Sequence, residues 1–155
     1  MKTMMLYETI ERLQELMKIQ PIKQQSIGGE IEEIDRTVEY LNDEEGIKTT
    51  TPEIIKALQA SPEIVLSDDI WEKLENTESN EIAVGDFDAV QQIADKYDKT
   101  EPKILIDGFK TGQYNRPLIL KFNNRYYLIA GNTRLCTAAA LGFKPKVLIA
   151  SLDEL

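Results

Sequence analysis

Residues 131–134, Gly-Asn-Thr-Arg, stand where a β-rich run ending at Ala130 gives way to an alanine-rich segment. If a helix starts there, Arg134 lies in its first turn, where free backbone N–H groups already act as roughly half a positive charge. A second cation is unfavourable at that point unless an anion joins it. Phosphate suits such a turn. Glycine permits close backbone approach, the first-turn N–H groups point at the ligand, and a guanidinium adds a planar set of charged donors. Asn132 and Thr133 can add side-chain hydrogen bonds. The same residues have a plainer reading. Asn132 or Thr133 is then an ordinary helix cap, and Arg134 lies in solvent or crosses to an acidic residue of the N-terminal half.

Other candidates surround this turn in sequence. Asp107 precedes a basic block and could act as a base or bind a metal; Asp86 and Asp88 are further metal candidates, although a capping Asp86 and a solvated Asp88 are the commoner arrangement for first-turn aspartates. Lys110, Arg116 and Lys144 could neutralise phosphates or simply solubilise the surface. Cys136 reads as a small buried apolar residue. Tyr126 and Tyr127 face opposite ways on a strand, so one belongs to the core and the other could stack on a base. The chain has no histidine and one cysteine, which excludes His-based triads, zinc clusters and an internal disulfide. Neither zinc nor haem is expected, and any metal would be a hard ion such as Mg²⁺ beside a phosphate.

Charge divides the chain. Residues 1–107 hold 11 Lys/Arg against 25 Asp/Glu, a net of −14, whereas residues 108–152 hold seven cations and no acid. The asymmetry points either to a basic anion-binding face or to an acidic half docked on a basic half. No apolar run approaches the ~20 residues of a membrane span, and the start lacks a signal-peptide pattern, so a cytoplasmic location is expected.

The elements that must position these residues follow from periodicity. Leu6, Ile10, Leu13 and Met17 have helical spacing, as do Ile31, Ile34, Val38 and Leu41, with a linker at 20–29 between them. Thr51 with Pro52, and Ser67 with Asp68 and Asp69, are helix-start signatures; Ile70, Trp71 and Leu74 form the buried set of the second. A further helix over 85–99 places Phe87, Val90, Ala94 and Tyr97 on one face. Residues 101–112 suit a strand or a short helix ending near Gly112. Asn123-Asn124 joins two strands as a hairpin, a helix follows from about Thr133 to Leu141 with Gly142 as its stop, and 144–150 gives a last strand.

The stretch RPLILKFNNRYYLIAGNTRLCTAAALGFKPKVLI resembles the core of the ParB/sulfiredoxin superfamily. The matching positions are Pro117, Tyr126, Leu128, Ile129, Gly131, Arg134, Ala138, Ala139, Leu141, Gly142 and Pro145, within residues ~104–150. The resemblance implies an α/β (α+β) fold, with a small mixed sheet and a helix after the G-x-x-R turn. Residues 101–155 would form this core, and residues 1–100 a helical acidic extension. It also implies a turn that cradles nucleotide phosphates, with ATP or CTP and Mg²⁺ as the cofactor. Sulfiredoxins place a catalytic cysteine where Asn132 stands, so peroxiredoxin repair is not expected. Chromosome-partitioning members carry glutamate at that position and arginine at Thr133. Small members with G-N-H-R are nearest, and they include ATP-dependent phosphotransferases.

Two readings result. In the first, Gly131, Asn132, Thr133, Arg134, Lys110 and Arg116 hold a nucleoside triphosphate, and Asp107 serves a Mg²⁺-dependent hydrolase or phosphotransferase. In the second, the protein is a non-catalytic module associated with DNA or with a DNA-binding protein, and its acidic helices engage that partner or mask a basic face.

Overall fold

The computed structural model describes residues 27, 30–97 and 101–152. The expected helix over Leu6–Met17 and most of the 20–29 linker lie outside them. Among the described residues the chain forms six α-helices and a five-stranded mixed sheet. Helices α1 (Ile31–Glu44) and α2 (Thr51–Ala60) come first, followed by strand β1 (Glu63–Val65), helix α3 (Asp68–Lys73) and strand β2 (Leu74–Glu75). A 3₁₀ turn (Ser79–Glu81), α4 (Phe87–Lys96) and α5 (Pro102–Thr111) follow. The hairpin β3 (Leu118–Phe122) and β4 (Arg125–Ala130), helix α6 (Asn132–Leu141) and strand β5 (Lys146–Ser151) complete the order.

The sheet runs β1-β5-β3-β4-β2, with β5/β3 and β4/β2 parallel and the outer β1/β5 and central β3/β4 pairs antiparallel. Its centre comes from 118–151. Both edges come from residues before 100, so the first half is not helical throughout. Leu74 is buried as expected, but as the first residue of β2 rather than in α3. Its neighbour Asn76 takes a positive φ of 64°, which turns the chain sharply out of the sheet.

Alternation along the strands makes two apolar faces. Leu118, Leu120, Phe122, Ile129, Leu148 and Ala150 pack with Ile34, Leu41, Ile54 and Leu58 of α1 and α2. Ile119, Leu128 and Val147 face the other way, onto Leu135 of α6 and the Ile70–Trp71 side of α3. Helices α4 and α5 then cover α6, through Val90 and Ile93 against Cys136 and Ala140, and Phe109 and Tyr114 against Ala138. Where α4 and α5 cover it, α6 presents small residues, Cys136, Ala138 and Ala140, whereas Leu135 fills the contact with the sheet.

Local signals behave as their chemistry dictates, with two corrections, at the cap of α2 and on the buried face of α4, and the open choice at 101–112 falls to a helix. The cap of α2 is Thr50 rather than Thr51: Glu53 N–H donates to Thr50 Oγ1 at 3.3 Å, and Thr50 Oγ1 donates to the Glu53 carboxylate at 3.0 Å. Residues 102–111 form a helix closed by Gly112 in the left-handed region. On α4, Val90 and Ala94 are buried with Ile93, whereas Phe87 and Tyr97 are 37% and 45% exposed. Asn123 and Asn124 turn the hairpin with φ of 50° and 61°. Among the described residues, no helix is long and apolar enough to cross a membrane.

Candidate functional site

The strand-to-helix joint opens on a cleft of about 1130 Å³. One wall is the end of β4 and the head of α6, from Tyr127 to Arg134. Asn76, Thr77 and Glu78 contribute to the lining, as do Glu30 before α1 with Glu33, Arg36 and Thr37 of α1, and Lys96, Tyr97, Ile104 and Leu105.

Gly131 fixes the joint. Its φ of 111° is one that residues with a side chain rarely adopt, and a Cβ there would come within 2.8 Å of Pro117 Cβ. The chain therefore enters α6 with no side-chain cap on its first turn. A helix start leaves N–H groups without intrahelical partners, and the residues that carry them here, Asn132 to Arg134, are in the cleft lining.

Asn132 does not cap its own helix. Its side-chain oxygen accepts from Thr77 Oγ1 at 2.8 Å and from Glu78 N–H at 2.9 Å, while its amide donates to the Glu78 carboxylate at 3.1 Å. Asn76 completes the strap by donating to the Leu128 carbonyl at 2.9 Å, and Trp71 Nε1 donates to Ser79 Oγ at 2.8 Å. The 76–79 segment is thus held against β4 and α6 by side-chain hydrogen bonds. Thr133 is buried, and its carbonyl accepts from Thr137 Oγ1.

Arg134 has an anion, and the chain itself supplies it. One terminal nitrogen donates to the Glu30 carboxylate and the other to the Asn115 carbonyl at 3.1 Å. The two side chains are 14% and 10% exposed. The internal crossing, one of the two sequence readings of Arg134, is what the geometry contains.

The other sequence candidates fall outside the cleft or on its rim. Arg116 is buried, donates to Glu63, and lies over the Tyr114 ring at 4.3 Å, so it braces the loop before β3. Lys110 and Asp107 stand exposed on α5. Asp86 caps α4 by accepting from Ala89 N–H at 3.2 Å, and Asp88 is exposed beside it. Among the described residues, no three acidic or cysteine side chains gather closely enough to hold a metal ion. Lys144 pairs with Asp68 at 3.1 Å on the surface. Cys136 is buried, and burial pushes its thiol up to about 12.

Tyr127 belongs to the cleft lining and stacks on Tyr40 at 4.8 Å with planes 11° apart. Burial raises its hydroxyl above the ordinary range. Lys96, also in the lining, lies 5.0 Å from the Tyr97 ring centre. The Tyr97 hydroxyl and, more weakly, Glu78 hold its ammonium above the usual range.

No family model, curated protein or solved structure matches this chain.

Residues that sequence reasoning passed over include Glu30, Asn76, Thr77, Glu78 and Lys96. A polar Asn-Thr-Glu-Ser run between two apolar segments reads as a loop, and nothing in its spacing says which helix it will meet.

Proposed function

We propose that this is a cytoplasmic protein that binds a phosphate-bearing ligand, a nucleoside triphosphate being the best fit, in the cleft at the head of α6. The observation that carries the reading is the uncapped first turn of α6 opening, beside Arg134, on a cleft of about 1130 Å³. A cleft of this size has room for a base and ribose as well as phosphates. Helix-start N–H groups and a guanidinium offer donors to the phosphate oxygens. Lys96 in the cleft lining adds a second cation, and Ile104, Leu105 and Tyr97 offer an apolar surface for a base. The likeness of residues 104–150 to the ParB/sulfiredoxin pattern supports the same ligand class. Hydrolysis or transfer of the terminal phosphate would be the catalytic form of this proposal, and a Mg²⁺ ion carried by the nucleotide would neutralise charge on the phosphates. Asp107 is not part of the cleft wall, so in that form the activating carboxylate would come from Glu78.

The test is calorimetric titration with ATP, CTP, GTP and UTP, with and without Mg²⁺, alongside phosphate release, for wild type and Arg134→Gln. Binding by wild type that weakens tenfold or more in Arg134→Gln supports the site, and turnover that follows binding makes it an enzyme. Binding that is indifferent to Arg134 places the ligand elsewhere.

A further inference from the structure

Glu30 is the residue on which α1 begins, yet its carboxylate does not cap that helix. An acidic side chain at a helix start is ordinarily stabilised by the helix's own N–H groups. Here it reaches into the cleft and takes a donor of Arg134, 104 residues away. Glu30 and Arg134 both line the cleft, and both are largely withdrawn from water. The bridges of Arg116 to Glu63, Arg125 to Glu45 and Glu75, and Lys144 to Asp68 join the two halves at other places.

We propose that the Glu30–Arg134 contact is an autoinhibitory latch, in which the Glu30 carboxylate occupies the donors that a phosphate ligand would use. The idea rests on the phosphate-binding reading above and adds regulation to that site. A carboxylate and a phosphate present similar anionic oxygens to a guanidinium, so the two compete for one partner. Phosphate brings more charge and more acceptors, and can therefore displace the carboxylate. Displacement releases Glu30, the residue just before α1, from the cleft wall, while Ile34 and Leu41 keep that helix on the sheet. A closed latch lowers the apparent affinity by the fraction of molecules that are open.

The experiment compares ATP binding by wild type, Glu30→Gln, Glu33→Gln and Arg134→Gln, each checked for native circular dichroism. Glu33 is on the same cleft wall and its carboxylate bonds to Arg36, so it controls for removal of one negative charge. The latch predicts that Glu30→Gln binds ATP about tenfold tighter or more, that Glu33→Gln gains far less, and that Arg134→Gln loses binding. Equal affinity of wild type and Glu30→Gln, with loss in Arg134→Gln, overturns the latch and leaves the site standing. Equal gains in Glu30→Gln and Glu33→Gln, or a gain in Glu30→Gln with binding indifferent to Arg134, also overturn it. Absence of binding in wild type and Glu30→Gln alike overturns both the latch and the site.

Discussion

Arg134, in the first turn of α6, is ion-paired with Glu30 at the start of α1, and the pair closes one wall of the cleft. It answers the electrostatic difficulty of an arginine at a helix start with an anion from within the chain. The same solution recurs across the fold. Arg116, Arg125 and Lys144 of the basic segment also pair with acids from residues 45–75. The charge division of the sequence is thus in large part an internal complementarity, and the overall charge of −9 is what remains outside it.

Arg134→Leu strands the Glu30 carboxylate in a position only 10% exposed. Removing one partner of a buried pair costs on the order of 3 kcal/mol, because the other charge loses its compensation. Adding Glu30→Gln to Arg134→Leu removes that stranded charge, and the double variant is expected to recover part of the loss. Urea unfolding of the four species measures the coupling. Strict additivity would mean that the contact contributes nothing in solution.

Gly131→Ala meets two obstacles at once, a φ of 111° and a contact of 2.8 Å with Pro117. Strain of this kind costs roughly 1–3 kcal/mol. The larger consequence is expected at the site, because the backbone must shift exactly where α6 meets the cleft. Nucleotide affinity should fall further than stability alone explains. Gly112→Ala is the comparison: its φ is also positive, but a Cβ there meets nothing within 4 Å.

Asn132→Ala removes the acceptor of both Thr77 and Glu78 N–H. A loss of about 1–3 kcal/mol is expected if those donors stay buried and unpaired. Amide exchange at Glu78 should quicken while that of the β3/β4 hairpin stays slow. Asn132→Asp keeps the acceptors but sets a negative charge against the Glu78 carboxylate, which now receives the Asn132 amide. Exchange at Glu78 as slow in both variants as in wild type would show that the strap does not depend on Asn132.

How much of this was legible in the sequence differs by the kind of signal. The turn at Asn123-Asn124, the stop at Gly142 and the caps at Ser67 and Asp86 depend on residues a few positions apart, and local chemistry specifies them. The strand–turn–helix around Gly131 was legible for the same reason. Strands β1 and β2 were not, because three- and two-residue strands carry no periodicity; only their pairing with β5 and β4 defines them. At the site, the sequence offered an internal acid as one of two explanations for Arg134. It did not indicate that the acid would be Glu30, because that contact depends on where α1 lies on the sheet. Phe87 and Tyr97 share a helical face with Val90 and Ala94, but the small residues of α6 admit only the middle of that face.

Cys136 is fully buried beside the small residues of α6, with its thiol pushed up to about 12 by burial first and then by Glu78 and Glu81. Almost none of it is thiolate near neutral pH. A thiol reagent at pH 8 should label the native protein only as fast as the protein opens, and should label it at once in denaturant. Rapid labelling of the native state would show that α4 does not cover α6 as described.

Arg125 bridges two carboxylates, at 2.8 Å to Glu45 and at 2.8 and 2.9 Å to the two oxygens of Glu75. The Tyr40 hydroxyl, with Arg125 next, holds Glu45 below the usual carboxylate range, and Arg125 does the same for Glu75. Both groups therefore stay ionised in the folded protein at a pH where the unfolded chain, with ordinary values near about 4.3, already takes up protons. The stability they contribute is present above that ordinary value and is lost as the pH falls through the lowered ones. The urea midpoint of wild type should drop steeply below about pH 5, and between pH 6 and 8 these two groups should add no slope. In Arg125→Gln the main partner of Glu75 and the second partner of Glu45 are gone, so the acid-side slope should be shallower. An unchanged slope would mean that other carboxylates govern acid unfolding and that this bridge is open in solution.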